Sequence, residues 1–251
     1  MQGWEFWVAG ILGAVLTGLG KGGMPVVGAL TVPLMSLAMP APVAAGLMLP
    51  VYIVSDWFGL YAYRREFDKR VVAIGMVGMT FGVVLGYFTF SFVPEEWING
   101  LIGVVGAVFA LNMLLRRAVV PTPRPAPVAP GLFWTAIAGF TSFISHTGGP
   151  PYQVWTLPLG LKKAVFAGTS TIAFAYVNLL KLPFYWHLGQ VNIGSLETAA
   201  MLAPVAICAV FAGVRIVKIL PEKLFFTLVT WTLLAISLKL IWGAVAASLA
   251  V

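Results

Sequence analysis

The sequence predicts an all-α polytopic membrane protein made of two inverted repeats, each a hairpin of broken or re-entrant helices followed by three transmembrane helices. Three observations lead there. Of the 251 residues, 60% are hydrophobic and only 9% are charged, with a mean hydropathy of +0.97. A soluble domain carries roughly 25% charged residues, so a chain this apolar needs lipid as the solvent for its surface. Apolar runs recur at membrane-crossing length, and the same small-residue motifs return in the same order half a chain later.

Taken in order, the first half (1–117) opens with two short apolar arms, 6–20 and 24–39, on either side of Gly-Lys-Gly-Gly-Met-Pro. A span needs ~17–25 apolar residues; glycine and proline disfavour a continuing helix, so the arms form a hairpin over 6–39 rather than ordinary spans. Segments 43–63, 71–93 and 97–115 then have spanning length. Residues 118–130 are proline-rich and form a semi-rigid cytoplasmic linker, following Arg116 and Arg117. The second half (131–251) repeats the plan: arms 131–147 and 149–160 flank His-Thr-Gly-Gly-Pro-Pro as a hairpin over 131–160, and spans follow at 164–183, 193–214 and 224–250.

The halves correspond residue by residue. Gly22-Gly23 and Pro25 match Gly148-Gly149 and Pro151 at a spacing of 126; Ala45-Gly46 match Ala167-Gly168, and Asp56 matches Asn178, at 122; Gly86 matches Gly213, and Pro94-Glu95 match Pro221-Glu222, at 127. An ordered series of this kind indicates duplication. A hairpin returns the chain to its starting side, and three further crossings then turn the second half upside down, so the repeats are inverted. Gly78, Gly82 and Gly86, with Ala209 and Gly213 in the second half, recur every four residues, which predicts close helix packing.

Charge placement gives the orientation. With the loop Arg64–Arg70 in the cytoplasm, its four basic residues are joined there by Arg116, Arg117, Arg124, Lys162, Lys163, Arg215, Lys218 and Lys223, which makes 12 of the 15 Lys and Arg. Glu5, Glu95 and Glu96 then fall outside. This satisfies the positive-inside rule and places both termini outside the inner, or plasma, membrane. The net charge of +7 is confined to such loops, so it does not form a nucleic-acid face. Cys208, the single cysteine, lies in an apolar stretch and is expected to pack there. No cleavable signal peptide is expected, since the start lacks a positive n-region.

Charged groups left inside the apolar segments mark the candidate site, because intramembrane charges are costly and face a protein interior or an aqueous cavity. Lys21 stands at the first tip beside Gly22 and Gly23. One reading makes this an anion site, the ammonium reinforcing free N–H groups of the following helix; the other lets Lys21 snorkel to the outer surface. The second tip offers His146, Thr147, Gly148 and Gly149, with Gln153 one turn on. His146 is open to a titrating or a purely structural role. Asp56 and its counterpart Asn178 are candidates for coupling a proton or cation, or for pairing with Lys21 and bonding between helices. Ser170 and Thr171 either line the same cavity or bond helix to helix. Lys181 and Lys239 are the other basic residues outside the loops; Lys239 is given a core acid as its partner, with Asn112 as its counterpart, and Glu197 is placed within a span.

The stretch Gly18-Leu19-Gly20-Lys21-Gly22-Gly23-Met24-Pro25, the following Val32-Pro33-Leu34, the Ala45-Gly46 entry to the next segment, and their repeats Gly148-Gly149-Pro150-Pro151 and Ala167-Gly168-Thr169 resemble the TauE/SafE family over nearly the whole chain. That resemblance implies an inverted-repeat carrier, and in direction an exporter, of small sulfur-containing anions such as sulfite or organosulfonates. The expected mechanism is secondary active transport by alternating access, with the anion held between the two Gly-Gly-Pro tips. The second tip departs from the first, having His146-Thr147 where Gly20-Lys21 stand, so a site using both tips is asymmetric. An anion channel, or a carrier of a different small organic anion, are the competing functions. The absence of a P-loop, of HExxH and of G-x-S-x-G in the sequence argues against an ATP-driven pump and an enzyme. No cofactor or metal is expected; the partners are a small anion, a coupled proton or cation, and lipid.

Overall fold

Glycine and proline set the helix boundaries of this chain. The structure is a computed structural model that describes residues 3–35, 38–90, 92, 95–115 and 123–249. It is helical, without strands among the described residues. The helices are α1 (Trp4–Lys21), α2 (Pro25–Gly28), α3 (Thr31–Met35), α4 (Ala41–Tyr63), α5 (Lys69–Thr89), α6 (Glu95–Leu115), α7 (Val128–Ser145), α8 (Gly149–Thr156), α9 (Lys163–His187), α10 (Ile193–Ile219) and α11 (Glu222–Leu249). Six are long and apolar enough to cross a membrane: Val43–Tyr63, Lys69–Thr89, Val128–Ser145, Lys163–His187, Ile193–Ile219 and Glu222–Leu249. Arg116, Arg117, Pro94 and the linker positions 118–122 lie outside the described residues.

Several predicted boundaries shift, each for a local reason. The segment expected as one arm over 24–39 is two short helices, α2 and α3. Pro33 has no N–H to offer the carbonyl four residues back, and the chain turns through an i→i+3 bond from Leu30 N to Val27 O before restarting with Leu34 N to Leu30 O. The arm expected over 149–160 is α8 followed by a 3₁₀ turn, Leu157–Leu159, which ends at Gly160 with φ 65°. By contrast, α7 begins three residues earlier than expected, since Pro130 is tolerated in a first turn. It reaches 18 residues, about 27 Å at 1.5 Å per residue, and so has spanning length rather than falling short. Conversely, α5 ends at Thr89, short of the expected 93.

The chain folds into two compact units, which draw on both sequence halves. Unit 1 comprises residues 1–72 and 164–220, and unit 2 residues 73–163 and 221–251. Within unit 1, α1 runs parallel to α10. A side chain at Gly10 would meet Leu202, one at Gly18 would meet Ala206 and Ala209, and one at Gly22 would meet Val210 and Gly213. Without a hydrophobic drive between helices in lipid, such backbone-to-backbone approach supplies the packing energy. The apolar core beside it gathers Ala14, Val32, Met35, Met48, Tyr52 and Leu202 from α1, α3, α4 and α10.

Also in unit 1, α4 and α9 run antiparallel and contact each other reciprocally. Gly46, near the start of α4, abuts the Gln190 carbonyl beyond the end of α9; Gly168, near the start of α9, abuts the Glu66 carbonyl beyond the end of α4. Between these contacts, Asp56 and Asn178 bond directly. Asp68 N donates to Thr169 Oγ1 at 2.9 Å, which ties the loop after α4 to the first turns of α9.

Unit 2 is built on the same physical basis. Here α5 runs parallel to α7, with Gly78 against Leu132 and Thr135, Gly82 against Ala136 and Phe140, and Gly86 against Phe143. The four-residue glycine repeat is therefore a helix-packing face. Helices α6 and α11 run antiparallel through Gly100 on Ala244, Gly103 on Ile241 and Gly106 on Ser237. Large apolar side chains such as Trp57, Phe81 and Trp242 stay exposed on the outer helix faces, as lipid-facing positions require. Cys208 is exposed too, contrary to the expected packing role, because it falls on the outward face of α10.

Candidate functional site

The first tip is a tight helix end rather than an open cradle. Gly22 N bonds to Gly18 O at 2.8 Å, Gly23 N to Gly20 O at 3.2 Å and Met24 N to Leu19 O at 3.3 Å. The last two form a Schellman motif with Gly23 at C′. Its φ of +107° favours glycine, and a Cβ there would strike the Tyr63 hydroxyl and Ala167. Tyr63 Oη donates to Gly22 O at 2.7 Å, and Thr171 Oγ1 to Lys21 O at 3.3 Å. Pro25 has no N–H, and α2 is a single turn. The Gly22, Gly23 and Met24 N–H groups are thus committed to α1.

The Lys21 side chain does not snorkel outward. It is buried, and its ammonium lies 2.7 Å from Asp56 Oδ1. Asp56 Oδ2 accepts from Asn178 Nδ2 at 2.8 Å. Beneath Lys21 lies the Tyr52 ring, with its centroid 5.3 Å from Nζ; the Thr17 and Thr31 hydroxyls lie 3.2 Å apart. Tyr52 stands four residues before Asp56 and so shares its face of α4. Asp56 is seven residues from the end of α4, about 10 Å along the axis, and just beyond that end come Arg64, Arg65, Lys69 and Arg70. The ion pair therefore lies inside the helical part of unit 1, nearer its basic end.

Lys181 is a further buried lysine of unit 1, which the sequence singles out only by its position outside the loops. It is fully buried at 0% exposure, and its ammonium stands 5.7 Å from the centroid of Tyr185. The available signal was its spacing of three residues from Asn178, which puts both on one helix face. Thr171 makes the helix-to-helix bond already given, the second of its two expected roles. Ser170 is buried, and its hydroxyl has no partner among the described residues.

The second tip belongs to unit 2. His146 ends α7 in the left-handed region, φ 56°, and is half-buried. Its N–H bonds to Ser142 O, and Thr147 N bonds to Thr141 O. The Ser145 and Thr147 hydroxyls are 2.7 Å apart. Pro150 and Pro151 remove two amides from the first turn of α8, which leaves those of Gly148 and Gly149. Gln153 is buried and its Oε1 lacks a partner among the described residues. Lys239, expected to pair with an acid in the core, is instead exposed on α11, and its counterpart Asn112 is exposed as well; Glu197 falls within the α10 span as expected and is exposed there.

Six apolar helices of membrane-crossing length among the described residues, with a lysine–aspartate pair buried in unit 1, define a multi-pass membrane protein. The family follows directly: the model for the sulfite exporter TauE/SafE family matches residues 6–240, and the chain belongs to that family, whose members are sulfite- or anion-exporting membrane proteins. No curated protein and no solved structure matches it.

Proposed function

We propose that this protein is a secondary active carrier that exports small sulfur-containing anions, such as sulfite or organosulfonates, across the plasma membrane by alternating access. The observation that carries this reading is the buried Lys21–Asp56–Asn178 group. A charge placed at that depth is costly and serves a function by default. Lys21 is the anion-binding cation; on arrival the anion competes with Asp56 for it, and Asp56, released, is the group through which a proton or cation is coupled. Gly22 and Gly23 shape the tip rather than donate. The reciprocal contacts of α4 and α9 support the inversion of the two halves, and the basic residues after α4 support a cytoplasmic placement of that end.

Flux into proteoliposomes tests the proposal, with sulfite, sulfoacetate, thiosulfate, sulfate and small carboxylates supplied with and without a pH gradient. The full chain is expected to move at least one sulfur oxyanion saturably and with counter-flow, which a channel does not show. Lys21→Ala should abolish that flux while the protein still purifies as a folded species. Unchanged flux in this variant would remove Lys21 from the site.

A further inference from the structure

Resting on that reading for its functional consequence, we infer that Tyr63 and Thr171 are positioning residues that set Lys21 on Asp56. The last carbonyls of an α-helix have no partner within it. At the end of α1 the backbone closes three of them: Gly18 O accepts from Gly22 N, Leu19 O from Met24 N and Gly20 O from Gly23 N. The next two are closed by side chains of other helices. Lys21 O accepts from Thr171 Oγ1 of α9 at 3.3 Å, and Gly22 O accepts from Tyr63 Oη of α4 at 2.7 Å. Tyr63 and Thr171 are both buried, and a buried carbonyl that loses its donor bears the full desolvation penalty. Hydroxyls such as those of Ser55, Thr135 and Thr156 turn back on the carbonyl four residues earlier in their own helix. Thr171 directs its donor to another helix.

The two capping helices are the two that hold the ammonium group. Asp56 and Tyr63 stand seven residues apart on α4, and Thr171 and Asn178 stand seven apart on α9. That spacing returns to the same helix face. Gly59 lies between Asp56 and Tyr63, and a Cβ there would stand 2.8 Å from both Lys21 O and Thr171 Cγ2. The missing side chain is what seats the end of α1 against α4 and α9. Lys21 is thus held at both ends, its carbonyl by Thr171 and its ammonium by Asp56 across 2.7 Å, with Asp56 in turn bonded to Asn178. The arrangement divides the work. The capped backbone stays in place, and only the ammonium end moves when an anion competes with Asp56. A site held in advance by such bonds binds more tightly than one that must be ordered on arrival.

The test compares wild type, Tyr63→Phe, Thr171→Val and Thr171→Ser as full chains. The first readout is initial influx into proteoliposomes of sulfite or methanesulfonate, whichever wild type moves faster. Tyr63→Phe and Thr171→Val should each raise KM about fivefold with the maximal rate little changed, the effect of one hydrogen bond. Thr171→Ser keeps the hydroxyl and should keep the wild-type KM. The second readout needs no transport: acylation of the Lys21 amine by acetic anhydride in the detergent-purified protein, followed by mass spectrometry of the peptides. Lys21 should react slowly in wild type and Thr171→Ser, and about fivefold faster in Tyr63→Phe and Thr171→Val. If Tyr63→Phe does not fold, the two Thr171 variants decide. Acylation of Lys21 at the wild-type rate in the Phe and Val variants, or a KM raised as much by Thr171→Ser as by Thr171→Val, would overturn the inference and leave the carrier reading standing. Absence of flux for sulfite and methanesulfonate alike in wild type would overturn the carrier reading, and the acylation rates would still decide whether the two hydroxyls position Lys21.

Discussion

Removing Asp56 should destabilise the protein more than removing Lys21, although both belong to one ion pair. At 2.7 Å the attraction is about 6 kcal/mol at an effective dielectric near 20, most of it offset by the desolvation of two charges. The quantity that separates the variants is what remains buried. Lys21→Met leaves Asp56 still bonded to Asn178. The loss should be roughly 1–3 kcal/mol, that of one charge-assisted bond. Asp56→Asn leaves Lys21 buried without its carboxylate, and the loss should be about 3–5 kcal/mol, as for a buried charge stripped of its partner. The double variant removes both charges of the pair and should lie between the singles or near Lys21→Met, well short of their sum. Thermal unfolding of the detergent-purified protein measures this; the Asp56→Asn midpoint should fall by roughly 10 °C, taking ~2–4 °C per kcal/mol for a chain of this size. Equal losses for the two single variants, or losses that add in the double variant, would refute the account of a carboxylate that Asn178 keeps holding when Lys21 is gone.

Two further outcomes test the scaffold. Gly46→Ala and Gly168→Ala should each destabilise by about 1–3 kcal/mol or more, because the new methyl lands on a backbone carbonyl that has no rotamer by which to move away; Gly243→Ala, which meets nothing within 4 Å, should gain about 0.5–1 kcal/mol under the same thermal assay. At the second tip, His146→Gly should raise the unfolding midpoint slightly and His146→Val lower it, since the φ of 56° costs a β-branched residue most.

Much of the site was legible from spacing. Lys21 at a Gly-Gly-Pro tip and the Asp56–Asn178 correspondence mark three members of the buried group, because intramembrane polar residues are rare enough to stand out. Lys181 was noted only as a charge outside the loops, since its second-half position has no lysine counterpart in the first half and helical proximity to Asn178 gains meaning only once Asn178 is known to hold Asp56. The expectation of free amides at the first tip failed for a definite reason. The Schellman closure at Gly23 turns those N–H groups back on α1, and a sequence motif of glycines does not say which carbonyl a turn will satisfy.

Composition and segment length alone determine that this chain lives in lipid and crosses it as helices, since no other arrangement satisfies so many apolar side chains and backbone groups at once. The ordered series of matching motifs is likewise a feature of the sequence alone. Only the tertiary structure decides which partner each intramembrane charge takes and which elements of the two halves build each compact unit. Those outcomes depend on approach distances between helices far apart in sequence, where a glycine admits a neighbouring backbone and a few ångströms determine whether Lys21 reaches Asp56 or water.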